Sequence, residues 1–286
     1  MPSLANADRP FTLICPARSG SSLLQAIFAE HPECQAIGET ADLVFSAWYG
    51  LVNAEFIIVR NAEQRTHDGY LRSAGAAIRA MLVSFSPSDK PCWMQKPIGL
   101  PAVFWLFGKP PDFERFAEFY WGGFESIFPG ARCFTILRDP RDVVLSSTAY
   151  FGVTQEHAWQ TCERIYRLLL HDGNRLGHAV DYEMLIQRPR KELKRLFAFL
   201  GLPWSQECLK AFDFEYVRKP PADRSNPKGW SYRQPRSTER PQGAGGFSRA
   251  AEWGNLAYSE TASETMALAA RLWERFGKPL PAWHAE

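Results

Sequence analysis

Apolar residues along the chain follow two periods. Short apolar runs at 11–15 (FTLIC), 133–137 (CFTIL) and about 178–182 (HAVDY), with a weaker one at 92–95 (CWMQ), predict buried strands. Between them the spacing changes to three and four. Leu23, Leu24, Ile27 and Phe28 make one helical face; Leu71, Ala74, Ile78 and Met81 make a second. Phe113, Phe116, Phe119 and Tyr120 make a third, and the pattern returns at Leu193, Leu196, Phe197 and Leu200, then at Met266, Ala270 and Trp273. Strands that alternate with helices predict an α/β fold with a central parallel sheet flanked by helices. No internal repeat is visible, and the whole chain, 1–286, reads as one domain.

Residues 217–249 follow neither period. This stretch, VRKPPADRSNPKGWSYRQPRSTERPQGAGGFSR, carries eight Arg or Lys against only Asp223 and Glu239. It reads either as a flexible solvated linker or as a basic flap that orders over an anionic ligand. Elsewhere charge is balanced, and a net charge of +2 does not call for a nucleic-acid partner. No apolar run reaches the roughly 18 residues of a membrane span. The start, MPSLANADRP, lacks the basic-then-apolar order of a secretory signal. Six cysteines without a C-x-x-C pair predict reduced thiols. These features together predict a cytoplasmic protein; its oligomeric state is not legible.

Two turns carry candidate chemistry. After the first strand, PARSGSS leads straight into a helix. Backbone N–H groups at a helix start point outward and the dipole favours an anion there. Gly20 allows the turn, Ser19, Ser21 and Ser22 add hydroxyl donors, and Arg18 adds a planar cation suited to oxyanions. The lysine of a Walker loop is missing, as is a clear acidic strand end to share a metal, so the turn reads as built for a phosphate-like group without a metal. An ordinary capped connection is the plain alternative. The second turn, LRDPRDVVLSS, repeats the grammar: a strand ends at Arg138, a helix starts near Asp142, and Ser146 lies one turn in, facing back toward the loop. Arg138 and Ser146 can grip a second phosphate. The plain alternative is a salt-bridge cluster of Arg138, Asp139, Arg141 and Asp142.

This pair of motifs resembles the sulfotransferases that take sulfonate from 3′-phosphoadenosine 5′-phosphosulfate (PAPS) and release adenosine 3′,5′-bisphosphate (PAP). HPE at 31–33, DYEMLI at 181–186 and LFAFLGLPW at 196–204 resemble further family phrases, so the likeness runs from about 11 to 253. The resemblance implies a P-loop-like three-layer fold in which Arg18, Ser19, Gly20, Ser21 and Ser22 cradle the 5′-phosphosulfate while Arg138 and Ser146 bind the 3′-phosphate. GGFSRAAEW at 245–253 resembles a third donor element, with Arg249 reaching the 3′-phosphate, although the usual Arg-Lys-Gly run is absent. Glu39 in AIGET is the expected general base, by analogy with protein-tyrosine and bacterial carbohydrate sulfotransferases; a helix-capping carboxylate is its plain reading. Lys96 in WMQKP resembles the lysine that contacts the transferring sulfonate. The Lys-x-His-Leu-Pro motif of the cytosolic small-molecule branch reads KPIGLP here, without the histidine, and His67, His157, His171 and His178 have no motif context. The tryptophan that follows the donor loop is replaced by Leu23, which leaves Phe247 or Trp253 as adenine-stacking candidates.

The expected reaction is in-line transfer of sulfonate to a hydroxyl of a carbohydrate or other small metabolite, with no metal. A P-loop kinase using ATP is the alternative, and a donor-binding module without turnover is a third. The aromatic stretch VFWLFGKPPDFERFAEFYWGGF reads as core packing first and as an acceptor pocket second.

Overall fold

The computed structural model of the chain describes residues 10–60, 67–85, 89–212 and 250–279. The basic stretch 217–249 lies outside the described residues, and with it Arg249 and Phe247. Five strands form one sheet: β1 (Pro10–Leu13), β2 (Cys34–Glu39), β3 (Cys92–Lys96), β4 (Arg132–Leu137) and β5 (Leu176–Asp181). Their order is β2-β3-β1-β4-β5, and every ladder is parallel. A parallel sheet needs both faces covered, because each crossover lays a helix on one of them.

Strand side chains alternate between the two covers. Phe11 and Leu13 of β1, with Phe134 and Ile136 of β4, pack on α1 (Ser21–Ala29), α7 (Tyr182–Gln187) and α8 (Pro189–Leu200). Phe28 stands in that layer among Phe11, Phe134 and Phe197, with ring centroids 5.8–6.5 Å away. Ile14, Trp93, Cys133 and Leu137 point the other way. They meet α2 (Ala41–Arg60), α3 (His67–Phe85), α4 (Phe113–Ile127), α5 (Pro140–Phe151), α6 (Gln155–Leu170) and α9 (Glu260–Arg275).

Several boundaries differ from those expected. β1 stops at Leu13; the Ile14 N–H still donates to the Phe134 carbonyl at 3.0 Å, and the chain then bends, so Cys15 belongs to the turn. β2 falls where the sequence shows no clean alternation, because it is the half-exposed edge strand and contains Gly38. α5 begins at Pro140 rather than near Asp142: Asp139 is its N-cap and accepts the Arg141 N–H at 2.9 Å, and proline suits the first helical position. The aromatic stretch resolves as core: Phe116, Tyr120, Trp121 and Phe124 are buried, and Trp121 Nε1 donates to the Leu168 carbonyl at 3.0 Å. Trp105 and Leu106, from the same stretch, lie exposed in the 3-10 turn Ala102–Leu106. All six cysteines are buried free thiols.

Sequence order reverses at the centre of the sheet. From β1 the chain crosses to β2 and β3 on one side, then to β4 and β5 on the other. The turns after β1 and β4 therefore leave a crevice between them, the place where open α/β sheets bind ligands.

Helix packing on the larger cover depends on a glycine. A Cβ at Gly75 of α3 would fall inside contact distance of the Ser126 carbonyl at the end of α4. Gly75→Ala is expected to lower unfolding free energy by about 1–3 kcal/mol, despite alanine's better helix propensity, because the backbone it strikes cannot yield as a flexible side chain does. An unchanged or higher urea midpoint at constant slope would contradict this.

Candidate active site

The turn after β1 is held in a contorted backbone. Arg18 has φ of 68° and Gly20 φ of 108°, both left-handed, with Ser19 between them on the ordinary side. Alternating handedness turns successive N–H groups into one concavity, a cradle for an anion. Glycine is required at 20: a Cβ there would meet the Tyr182 ring at 2.6 Å. Arg18 is not glycine, and a non-glycine residue in this region carries of order 1–3 kcal/mol of strain. Gly20 is the N-cap of α1, no side chain caps that terminus, and no acidic residue occupies its first turn. Among the described residues the helix start therefore has no capping side chain. Ser19 is spent on structure, donating to the Pro16 carbonyl at 2.7 Å. Ser21 is buried and Ser22 exposed. The Cys15 thiol is pushed up to about 12 by burial, with the Ser19 hydroxyl and Lys96 opposing, so it offers no thiolate.

The turn after β4 closes on the first. Arg138 Nη1 donates to the Arg18 carbonyl at 2.8 Å, and Arg18 Nε donates to Ser146 Oγ at 3.2 Å. Each arginine also lies over an aromatic ring: Arg18 over Tyr150 at 4.1 Å and Arg138 over Tyr182 at 4.5 Å from the centroids. The salt-bridge cluster exists as well. Arg141 makes two bonds to the Asp139 carboxylate, at 3.1 and 2.9 Å, and Arg138 stands 3.6 Å from Asp142. The salt-bridge reading of RDPRD thus describes the observed contacts, and Arg138 reaches from that cluster to the β1 turn.

Two more charges meet on neighbouring strands. Glu39 ends β2 and Lys96 ends β3, their Cα positions in register. Lys96 Nζ is 3.6 Å from Glu39 and 3.5 Å from Ser22 Oγ, so it faces the α1 terminus. Burial lowers the Lys96 pKa, while Glu39 beside it pulls the other way. The Lys96 side chain is 4% exposed and that of Glu39 63%. A buried chain holds these strand ends in line: Thr40 donates to Gln95, and Gln95 donates to Thr12, at 3.0 and 3.1 Å.

Arg18, Ser19, Gly20, Ser21, Ser22, Glu39, Lys96, Arg138 and Ser146 thus gather at one end of the sheet. Trp253 is not a free stacking platform: the Arg141 guanidinium covers its ring at 3.4 Å and its Nε1 donates to Asp142 at 2.9 Å. Sequence reading also missed Tyr150, Tyr182, Gln95 and Glu183. Tyr150 lies one turn beyond Ser146, so the i, i+4 spacing was a usable signal. HPE proves architectural: the Glu33 N–H donates to His31 Nδ1 at 3.1 Å, so Nε2 carries the proton and donates to the Pro203 carbonyl at 2.9 Å. That bond joins HPE to LFAFLGLPW on the far side from the crevice.

A model of the sulfotransferase family matches residues 10–206. The chain belongs to the sulfotransferase family. It is 24% identical over 205 residues to a putative protein-tyrosine sulfotransferase of Caenorhabditis briggsae, a match covering 67% of this chain and 65% of that relative's length. Two solved family domains share the fold at 18% identity each. The sulfotransferase domain from the curacin biosynthetic pathway superposes with a TM-score of 0.56, covering 95% of this chain and 98% of that one. The domain from the Synechococcus PCC 7002 olefin synthase gives 0.51, with 95% and 96% covered. Among the described residues no helix is long and apolar enough to cross a membrane.

Glu183, in the first turn of α7, carries a carboxyl pushed up from 4.5 to about 7, chiefly by burial, with Asp181 adding to the rise and Arg138 opposing it. The folded state holds this proton where the unfolded chain has lost it, so stability falls as pH rises from about 4.5 to about 7. Glu183→Gln stays neutral throughout. Its melting temperature relative to the native chain is expected to be higher at pH 8 than at pH 5; an equal difference at both would show that Glu183 titrates normally.

Proposed function

We propose that this member of the family is an enzyme that transfers the sulfonate of PAPS to an acceptor hydroxyl. The observation that carries the reading is the hydrogen-bonded meeting of the β1 and β4 turns, each with an arginine, across the crevice at the centre of the sheet. The Arg18–Gly20 cradle and the α1 terminus suit the 5′-phosphosulfate; Arg138 and Ser146 suit the 3′-phosphate. Arg249, outside the described residues, is proposed as a third contact to that phosphate. A kinase is not favoured by the family match.

In this reading Glu39 takes the acceptor proton as the acceptor oxygen forms its bond to sulfur. The bond between sulfur and the 5′-phosphate oxygen breaks, and PAP leaves with the negative charge. Arg18, Lys96 and the N–H groups of the α1 start stabilise that charge as it develops. The exposure of Glu39 suits a base that must return its proton to solvent, and a buried Lys96 suits a fixed cation. The acceptor is a hydroxyl of a carbohydrate or another small metabolite. A tyrosyl peptide is the second reading, favoured by the name of the curated relative and by the exposed Leu43, Trp105 and Leu106.

Turnover is tested by following labelled sulfonate from PAPS into candidate hydroxyl acceptors, with ATP and magnesium as the comparison. Glu39→Gln is expected to reduce kcat by about 10²-fold, the effect of a lost general base, with donor affinity nearly unchanged. Near-native turnover would move the base elsewhere. Arg138→Ala is expected to weaken PAP binding by about 1–3 kcal/mol in calorimetry, as for a lost charged hydrogen bond. Unaltered affinity would remove Arg138 from the 3′-phosphate subsite.

A further inference from the structure

A cleft of about 300 Å³ lies at the outer edge of the sheet, beside β5 and not between the turns of β1 and β4. His178 of β5, Arg195 of α8 and Lys278 beyond α9 bring their nitrogens to its walls. Each is delivered by its own device. In β5 the ladder to β4 skips Gly177: Cys133 pairs with Leu176 and Phe134 with His178. A bulge of this kind re-aims the side chain beside it. Glycine is needed there, because a Cβ would meet the Phe199 ring at 2.6 Å. That ring stacks on the His178 imidazole, with centroids 5.4 Å apart.

After α9 the chain closes a Schellman turn. Gly277 has φ of 57°, its N–H donates to the Glu274 carbonyl at 3.0 Å, and the Lys278 N–H donates to the Trp273 carbonyl at 2.9 Å. The turn brings Lys278 to Glu192 of α8, whose Oε1 accepts the ammonium at 2.8 Å. Arg195, one helical turn beyond Glu192, stands 3.5 Å from its Oε2, and the Arg195 side chain is 54% exposed.

The cluster is incomplete in two respects. His178 Nε2 is buried and has no hydrogen-bond partner among the described residues, and buried polar atoms in folded proteins are nearly always satisfied. Glu192 Oε2 also lacks a hydrogen bond, but it is faced by the Arg195 charge. The charges do not balance either. Lys278 and Arg195 face the single carboxylate of Glu192. His178 is lowered to about 4, chiefly by burial, with Lys278 and Arg195 adding to the fall and Glu192 opposing it, so the ring is neutral near pH 7. One positive charge is therefore in excess, and every side-chain nitrogen on the walls is able to donate.

We propose that this cleft is a binding site for a small oxyanion, a phosphate or carboxylate group, held by Arg195 and Lys278 with the His178 Nε2–H as a third donor. The bound charge balances the cluster and satisfies the buried imidazole nitrogen. The volume is at the lower limit of ligand pockets and suits a small metabolite rather than a nucleotide. The site does not depend on the PAPS reading.

The test follows the His178 C2–H resonance of the full chain by NMR during titration with inorganic phosphate and, separately, with formate. Binding places a negative charge beside the ring and is expected to raise the His178 pKa from about 4 by about one pH unit or more. Arg195→Ala is expected to need roughly tenfold more anion for the same response, the scale of one lost charged hydrogen bond. Arg195→Lys keeps the charge and most of the response. Arg138→Ala removes a cation from the crevice instead and is expected to leave the response unchanged. A response to phosphate alone assigns a phosphate group, to formate alone a carboxylate, and to both an oxyanion of either kind. No movement of His178 with either anion overturns the proposal. So does a movement that Arg195→Ala leaves intact or that Arg138→Ala abolishes.

Discussion

The hydrogen bond from Arg138 to the Arg18 carbonyl is the interaction on which the site depends. It joins the turns of β1 and β4, which diverge to opposite sides of the sheet and would otherwise be independent loops. The bond is charge-assisted and shielded, so it is worth more than a neutral surface contact. It also reaches the residue whose left-handed backbone most needs support. Arg18 in a strained conformation persists only if its surroundings over-determine it. Here the Arg138 bond, the Ser146 hydroxyl and the Tyr150 ring all do so. One constraint therefore shapes the β1 turn and fixes two arginines beside each other.

Burying Arg138, Asp139, Arg141 and Asp142 together is expensive in desolvation, and a buried ion pair is weak evidence for stability. Apolar residues would fill the same space at less risk. What the four charges provide is direction. Asp139 caps α5 and clamps Arg141; Arg141 holds Trp253; Trp253 holds Asp142. Each link fixes the next, and the last faces Arg138. Polar networks of this kind rigidify when their members are satisfied, and an anion site gains from cations that need no reorganisation before the ligand arrives.

Much of this was legible in the chain itself. The two turns announce themselves because a buried strand, a Gly or Pro, and a helix start are local signals. The spacing of Ser146 from Arg138 gave its direction correctly, as its bond to Arg18 shows. β2 was not legible as a strand: an edge strand is solvated along one side, so its alternation is blurred. α6 was overlooked although Ala158, Trp159, Cys162, Ile165, Tyr166 and Leu169 trace a full helical face, all buried. Trp253 shows the deeper limit. Whether an aromatic ring stacks on a base or is already stacked on an arginine depends on a residue more than a hundred positions away. No local pattern carries that information, and composition suggests the ligand first.

The pair at the ends of β2 and β3 follows from the same geometry. In-register neighbours on parallel strands share one height above the sheet, so Glu39 and Lys96 meet with no loop to position them. Their environments then divide the work. Lys96 lies beneath the α1 start, where burial disfavours its charge and Glu39 sustains it. Glu39 stands at the open rim, its side chain mostly exposed. Protonating Glu39 during a reaction would weaken its hold on Lys96 at the moment when an anion at the α1 terminus strengthens the lysine's other attraction. In the proposed reaction the cation would then pass from one negative partner to another without leaving its place, so that one fixed side chain would serve both the resting and the reacting site.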